Sequence, residues 1–186
     1  MVLLFNIFRH ELGLSLGRPD LAIPPKHARA RPAAMSNLEE LIEQHQLKRH
    51  PEGGWYREMH RSTTQVERSD AAKRPGLTAI LFLLPKEEIS CWHRVTGADE
   101  AWIHIDGADL NLFQCTPDGS GLQEIVLNGE NPLHVVPAGW WQAAQSDGPY
   151  ALVSCCVGPG FDFADFEMLR QQLESKRPVL PHPELI

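Results

Sequence analysis

The sequence of 186 residues contains no apolar run long enough to cross a bilayer. The longest run extends from Leu77 to Pro85 and is interrupted by Thr78, whereas a membrane-spanning helix needs about 20 mostly apolar residues. The sequence therefore predicts no transmembrane helix and no membrane partner.

Basic residues are scarce relative to acidic ones. The 17 lysine and arginine residues are outnumbered by 24 aspartate and glutamate residues, which gives a formal net charge of −7. Proteins that bind nucleic acid present a basic surface to the phosphate backbone, and the sequence has no large basic cluster. These features exclude nucleic acid as a partner.

Cysteine is sparse as well. The four cysteines are Cys91, Cys115, Cys155 and Cys156. No two of them have the C-x-x-C spacing of a zinc knuckle or a redox motif. We interpret them as small buried residues of a protein from the reducing cytosol and predict a cytoplasmic location.

The length fits one domain with a sizeable core, but residues 1–34 differ in composition from the rest. Positions 19–34 are rich in proline, alanine and arginine. We interpret residues 1–34 as a disordered extension, or as sequence upstream of the true start at Met35. Organelle targeting is the alternative; the arginines favour it, and Glu11 and Asp20 weaken it.

The domain itself is predicted to cover residues 35–175, with a short helix at each end. Ser36 and Glu39 have the S-x-x-E spacing of a capping box, which predicts a helix directly after Met35. Its apolar residues form one stripe: Leu38, Leu41 and Ile42. A second helix is predicted over 165–174, followed by a proline-rich extended tail at 176–186.

Between these helices the sequence predicts many short strands. Turn-forming residues separate them, as in Pro117–Gly121 and Asn128–Pro132. Short strands at near-regular spacing are typical of an all-β sandwich or barrel. The nine predicted strands are residues 55–60, 77–84, 88–94, 99–106, 109–115, 122–127, 133–136, 140–145 and 150–157.

The most informative stretch for chemistry is Cys91–Gly107. After a turn, the residues from Glu100 onward alternate, so that Glu100, Trp102 and His104 share one face of a strand. His93 lies on the preceding strand. An imidazole and a carboxylate on one face of a sheet indicate a metal site or an acid–base site.

These residues resemble the cupin superfamily. Its first motif reads H-x-H, three or four residues, E, six residues, G, and His93, Glu100 and Gly107 fit three of those positions. The second histidine position is occupied by Val95.

The second cupin motif, P-x-G-x-x-H, is also incomplete. Pro137 and Gly139 match it, but Gln142 stands at the histidine position. Two of the four metal ligands usual in the superfamily are therefore missing.

Four separated blocks resemble an uncharacterised cupin subfamily, over most of the chain from Leu38 to about Leu169. They are His50–Glu58 (H-P-E-G-G-W-Y-R-E), His93–Arg94 with Asp99–Glu100, Val136–Gln142 (V-P-A-G-W-W-Q) and Val157–Phe166 (V-G-P-G-F-D-F-A-D-F). The resemblance implies an all-β double-stranded β-helix, the cupin jelly roll, assembled as a homodimer. It implies no particular reaction.

Acid–base catalysis without a metal needs few groups. One histidine with a carboxylate to orient it can move a proton next to a carbonyl. We predict His93 as the base, Glu100 as its partner and Tyr56 as a candidate acid.

Metal binding is the alternative. A divalent ion typically needs three or more protein ligands, and His93, Glu100 and Gln142 are the candidates. His104 would lie about 13 Å further along its strand than Glu100, too far to share the ion.

Further residues are predicted to line the ligand pocket. Aromatic side chains suit a flat or sugar-like ligand, and arginines are candidate anchors for an anion. The predicted ligand-binding residues are Trp102, His104, Gln142, Trp140, Arg57 and Arg94.

The sequence thus predicts a cupin-fold protein that binds a sugar-like or other small polar molecule. The first hypothesis is a metal-independent enzyme of the isomerase or epimerase type. The second is a metal-dependent dioxygenase or isomerase, with a divalent ion as cofactor, and the third is a binding module without catalysis.

Overall fold

The computed structural model describes residues 37–186. Residues 1–34, interpreted above as an extension, and the capping residue Ser36 lie outside the described residues. None of the helices in the described part of the chain is long and apolar enough to cross a membrane.

The described residues form one α-helix and thirteen strands, and every strand pairing is antiparallel. Helix α1 spans Asn37–His45. The strands are β1 (Lys48–Arg49), β2 (Trp55–Arg61), β3 (Gln65–Glu67), β4 (Lys73–Pro75), β5 (Thr78–Pro85), β6 (Ile89–Val95), β7 (Asp99–Gly107), β8 (Leu110–Cys115), β9 (Gln123–Leu127), β10 (Leu133–Val136), β11 (Trp141–Ser146), β12 (Tyr150–Gly158) and β13 (Phe166–Met168). All nine predicted strands are confirmed, to within one residue at either end.

Two large sheets share one core. The first has the strand order β1-β2-β5-β12-β7-β10 and the second β13-β6-β11-β8-β9, while β3 and β4 form a separate hairpin. The shared core includes Phe82 and Trp102 from the first sheet and Leu112 and Leu127 from the second, each at most 1% exposed. This arrangement is the predicted double-stranded β-helix, or jelly roll.

Helix α1 covers part of the outer face of the first sheet. Its residue Leu41 is buried against Leu81, Leu83 and Leu152. Strand β5 is therefore covered on both faces, by the barrel interior and by the helix, which explains why its sequence is continuously apolar rather than alternating.

The α-helix predicted over 165–174 does not form. Residues Phe166–Met168 instead make strand β13, which pairs with the edge of β6, and 3-10 turns follow at Leu169–Gln171 and Glu174–Lys176. The helical spacing of the sequence is overridden because β6 offers backbone hydrogen bonds along its open edge.

The C-terminal tail packs on the second sheet. After an irregular stretch it ends in a 3-10 turn at Pro183–Leu185. Leu180 and Leu185 are buried with Trp92 and Trp141, and the Trp92 indole N–H donates to the His182 carbonyl at 3.1 Å. The tail thus covers tryptophans that the outer face of this sheet would otherwise expose.

Asp165 ties the β3–β4 hairpin to the segment before β13. Its side chain is 8% exposed and accepts hydrogen bonds from Arg68 at 2.8 Å and from Arg74 at 2.7 and 2.9 Å. Its backbone carbonyl accepts from the Thr96 N–H at 2.8 Å. Asp165 therefore joins three separate parts of the chain, two through its carboxylate and the third through its backbone carbonyl.

We expect Asp165→Asn to lower the free energy of unfolding by about 2 kcal/mol, because charge-assisted hydrogen bonds to a poorly exposed group are lost. Asp70→Asn is the matched control, since Asp70 also pairs with Arg68 but its side chain is 55% exposed. The control should cost clearly less. Urea unfolding of both variants measures the difference, and equal losses would contradict a central role for Asp165.

Candidate functional site

A pocket opens into the barrel between the two sheets. Alternate residues of β2, β5, β6 and β12 point into it, as strand geometry requires. The centre of a water molecule can occupy about 70 Å³ of it, so the pocket holds several water molecules or one small ligand. The chemically active side chains that line it are His50, Glu52, Tyr56, His93, Glu100 and Cys155.

The rest of the pocket wall is mainly apolar. Thr78 is the other polar residue of the interior, and Glu58 and Arg61 lie at the more exposed end. The apolar lining residues are Ile80, Val95, Val157, Phe161, Phe163 and Phe166. A largely dry wall of this kind strengthens electrostatic interactions between the polar groups inside.

A glycine turn places Glu52 in the pocket. Gly53 has φ +115° and a Cβ at this position would lie 2.0 Å from the Ile89 carbonyl oxygen, so only glycine allows the turn. The Glu52 carbonyl in turn accepts from the Cys91 N–H at 2.9 Å. The turn is thereby fixed against β6, the strand that carries His93.

Glu52 is the partner of His93. Glu52 Oε2 lies 3.2 Å from His93 Nε2 and 3.3 Å from His50 Nδ1. The other oxygen, Oε1, accepts from the Ser90 hydroxyl at 2.8 Å. One carboxyl group thus contacts two imidazoles inside the barrel.

The backbone fixes the tautomer of His93. Nδ1 lies 2.8 Å from the Cys91 carbonyl, which can only accept, so Nδ1 carries a hydrogen. In the neutral ring Nε2 is then the lone-pair nitrogen that faces Glu52. Burial lowers the pKa of His93 and raises the pKa of Glu52. Both shifts favour the neutral pair, in which Glu52 holds the proton and donates it to Nε2.

Glu100 is held separately, through a chain of side chains. The Trp102 indole N–H donates to Gln142 Oε1 at 2.8 Å, and Gln142 Nε2 donates to Glu100 Oε2 at 2.7 Å. Because an indole N–H can only donate, the amide orientation of Gln142 is determined. The Cys155 thiol forms a further hydrogen bond with Glu100.

Burial raises the pKa of Glu100 to about 7, an effect opposed by His93 and reinforced by Glu52. Burial likewise raises the pKa of the Cys155 thiol well above its usual range, so the thiol is a hydrogen-bond donor rather than a thiolate. The predicted pairing of Glu100 with His93 needs correction: Glu100 is close enough to affect the pKa of His93, but Glu52 contacts the ring.

The predicted metal ligands do not suit a cation. The Gln142 amide oxygen already accepts from Trp102, and its NH₂ group faces Glu100. Among residues 37–186 no group of three or more histidine, cysteine, aspartate or glutamate side chains is arranged to hold a metal ion. Gln142 thus serves as a hydrogen-bond donor to Glu100, while His93 is engaged by the Cys91 carbonyl and Glu52.

Two of the predicted ligand-binding residues support the pocket from below. Trp102 and Gln142 are each 1% exposed and orient Glu100 without lining the pocket. His104 contacts the Ala108 carbonyl at 3.0 Å, and Trp140 packs against the barrel core. Both are partly buried and lie outside the pocket lining.

The two predicted anion anchors lie elsewhere. Arg57 donates to the His45 carbonyl at 3.2 Å, and Arg94 donates to Glu167 at 2.6 Å and stacks on Trp141. Successive residues of a strand point to opposite faces, so the neighbours of the inward-facing Tyr56 and His93 point outward. Arg57 and Arg94 are thus not pocket residues.

Sequence reasoning missed two residues of the site, His50 and Glu52. Both belong to the block His50–Glu58 that carried the family resemblance. Adjacent glycines after a glutamate were the available signal, since they indicate a turn that brings the backbone unusually close to another strand. Tyr56, predicted as a candidate acid, lies on the pocket wall with its ring edge-on to the His50 ring at 4.5 Å.

Comparisons with known proteins agree with this architecture. The profile of a family described as Cupin superfamily (DUF985) matches residues 39–169. An uncharacterized protein of Saccharomyces cerevisiae is 32% identical over 172 residues, which cover 81% of this chain and 84% of the yeast protein.

Two solved structures are similar as well. A hypothetical protein from Leishmania major has 31% identity and a TM-score of 0.67, covering 74% of this chain and 91% of its own. A protein from Shewanella oneidensis has 36% identity and a TM-score of 0.64, covering 72% of this chain and 85% of its own.

The raised pKa of Glu100 predicts a pH-dependent stability. The pKa of this carboxyl is ordinarily 4.5 and is about 7 in the folded protein. The contribution of Glu100 to the free energy of unfolding is therefore most favourable below pH 4.5 and falls by up to about 3 kcal/mol as the pH rises through 7. Glu100→Gln cannot ionise and should be more stable than the unsubstituted protein at pH 8, but similar to it at pH 5.

Urea unfolding at both pH values tests this prediction. Glu87→Gln, which removes an exposed carboxylate, is the control for charge alone. If Glu100→Gln unfolds with the same difference between pH 5 and pH 8 as the unsubstituted protein, then Glu100 does not titrate in this range.

Proposed function

Because the chain belongs to the cupin superfamily, in the family described as DUF985, we propose that its barrel binds a small molecule and moves a proton on it without a metal ion. The observation that carries the proposal is the 3.2 Å contact between His93 Nε2 and Glu52 Oε2, inside a pocket that also contains Glu100. A ligand in the pocket would then face two groups that can hold a proton in different environments, the Glu52–His93 pair and Glu100.

Glu100 is the base in this proposal. A base is most effective when its pKa lies near the working pH, and burial brings the pKa of Glu100 to about 7. Gln142 and Cys155 hold the carboxylate in place. This assignment replaces the predicted role of His93 as the base.

The Glu52–His93 pair is the acid. Glu52 holds a proton against His93 Nε2, and the Cys91 carbonyl keeps the ring in the tautomer that accepts it. Tyr56 remains a candidate second donor on the pocket wall. The pair holds this proton without carrying a net charge, and an apolar site disfavours a buried charge.

The ligand in this proposal carries a carbonyl with an adjacent C–H, as hydroxycarbonyl compounds and sugars do. Glu100 takes the proton from carbon, and the electrons of the C–H bond form a carbon–carbon double bond while Glu52 protonates the carbonyl oxygen. Return of the proton by Glu100 to the neighbouring carbon gives the isomer, and the hydroxyl that becomes the new carbonyl gives its proton to Glu52. Protonation of the opposite face of the first carbon by a second donor, for which Tyr56 is the candidate, gives the epimer as the enol hydroxyl returns its proton to Glu52.

A binding module without catalysis is the competing proposal. A binding module could use neutral hydrogen-bonding side chains equally well, and these would lower the stability of the fold less than buried carboxyl groups do. The burial of two carboxyls whose pKa values are raised favours catalysis, because such groups lower stability and are typical of active sites.

Solvent exchange tests the proposal. In D₂O the protein should catalyse loss of the α-proton NMR signal from at least one member of a panel of dihydroxyacetone, glyceraldehyde and 4-phenyl-2-butanone. Glu100→Gln should slow this exchange by about 100-fold or more, and Glu87→Gln should not. The rate should rise with pH around 7 as Glu100 ionises; exchange that is unaffected by Glu100→Gln would refute the role of this residue.

We further propose that a second copy of the chain covers part of the first sheet. Ile105, Leu133 and Val135 are 52%, 51% and 43% exposed and lie together with Ile103 on its outer face. Neighbouring exposed apolar residues are typical of interaction surfaces, and a twofold homodimer buries the same patch on both copies.

Val135→Lys should weaken this dimer, because it places a charge in the apolar patch. Val126→Lys is the matched control, since Val126 is 44% exposed on β9 of the other sheet. Light scattering after size exclusion measures the mass of each. A monomeric unsubstituted protein, or equal effects of the two substitutions, would contradict the proposed interface.

We also propose that the protein works in the reducing cytoplasm. All four cysteines are free, and Cys91, Cys115 and Cys155 are buried. Cys155 and Cys156 are neighbours in strand β12 and both are free thiols. Cys155 contributes a hydrogen bond to Glu100.

A further inference from the structure

We propose that the pocket takes an uncharged amphipathic ligand, with a carbonyl or hydroxyl head at Glu52 and Glu100 and a planar apolar body against Phe161, Phe163 and Phe166. This substrate class rests on the proposed function and narrows it. Sugars and carboxylate metabolites are then outside the preferred class.

The charges in the pocket disfavour an anion. Arg61 is its one arginine among the described lining residues, and each of its three nitrogens already donates one hydrogen bond: Nε and Nη2 to Glu58, and Nη1 to the Phe161 carbonyl at 3.0 Å. An incoming carboxylate would have to share this guanidinium with the carboxylate of Glu58, which already neutralises its charge. Deeper in, it would meet two carboxyl groups and histidines that burial keeps neutral.

A cationic head is disfavoured by dehydration. Of the lining carboxyl groups, Glu58 is already paired with Arg61 and Glu52 contacts two histidines. The third, Glu100, already receives hydrogen bonds from Gln142 and Cys155. Burying an ammonium group costs several kcal/mol unless it is paired with good geometry. An uncharged head avoids this cost and can accept from Glu52 directly.

The phenylalanines form a continuous apolar path from the rim to the acid–base groups. Phe163 is 59% exposed at the entrance, and its ring lies 5.1 Å from Phe161 and 6.2 Å from Phe166. Phe166 in turn lies 5.5 Å from the His93 ring. A large exposed aromatic residue beside a pocket is positioned to cover an apolar ligand.

This aromatic wall is held in place before any ligand arrives. The Phe161 N–H donates to the Thr78 hydroxyl at 2.9 Å, and Phe166 lies in β13, paired with Val95. Asp165, between Phe163 and Phe166, is fixed by the two arginines described above. Preorganisation of this kind reduces the entropy lost on binding.

Three probes of matched shape and different charge test the class: 4-phenyl-2-butanone, 3-phenylpropanoate and 3-phenylpropylamine. Dihydroxyacetone serves as a sugar-like probe. We expect titration by protein NMR to show binding of the ketone, with each of the other three about tenfold or more weaker. Equal or tighter binding of any of those three would overturn the proposal.

Phe163→Ala tests the role of the wall. It should weaken binding of 4-phenyl-2-butanone by about three- to tenfold, whereas Val179→Ala, at a residue 93% exposed outside the pocket lining, should not change it. Unaltered binding in Phe163→Ala would overturn the assignment of the apolar body to this wall. Melting temperatures of both variants confirm that they are folded.

The two proposals fail separately in these experiments. If the ketone binds as expected and no compound of the panel exchanges its α-proton, the catalytic role is refuted and the ligand class stands. If dihydroxyacetone exchanges its proton in a Glu100-dependent reaction and the ketone does not bind, the ligand class is refuted and catalysis stands.

Discussion

Two carboxyl groups, those of Glu52 and Glu100, are buried inside a barrel that is otherwise largely apolar. An isolated buried charge costs several kcal/mol even after the protein relaxes, which is comparable to the stability of a whole domain. Each carboxyl is therefore surrounded by donors: Ser90 for Glu52, and Gln142 for Glu100. Many of the other features of the site serve to supply or orient these donors.

The barrel meets this constraint with parts that are far apart in the sequence. Glu52 comes from a turn before β2, while His93 and Ser90 come from β6. The turn can approach β6 only because Gly53 has no side chain to collide with the Ile89 carbonyl. A backbone requirement at one residue thus determines which carboxylate contacts the imidazole.

The sequence predicts the strands and the inward faces well, because alternation in a strand is a local property. That Glu100 and Trp102 share one face follows from their spacing alone, and both are buried. The partner of His93 could not be found in this way. Whether Glu52 or Glu100 contacts the ring depends on how a turn packs against β6, which no local pattern encodes.

Alternation in a strand also does not predict how far along the barrel a side chain lies. His104 shares the face of Glu100, yet its ring contacts the Ala108 carbonyl rather than the pocket. The failed helix at 165–174 has a similar origin, because its residues have helical spacing but lie next to the unpaired edge of β6. Hydrogen bonds between distant residues decide the second case, whereas the His104 ring contacts a residue only four positions away.

The two positions at which this chain departs from the usual cupin motifs support one chemical interpretation. Val95 stands where the first motif has its second histidine, and it forms part of the apolar pocket wall. Gln142 stands at the histidine position of the second motif, and its amide links Trp102 to Glu100. A histidine there could not accept from the indole and donate to the carboxylate while also offering a lone pair to a metal, because it has only two nitrogens. Val95 thus makes the wall drier and Gln142 holds the carboxyl, and both substitutions remove a nitrogen ligand from the usual cupin metal set.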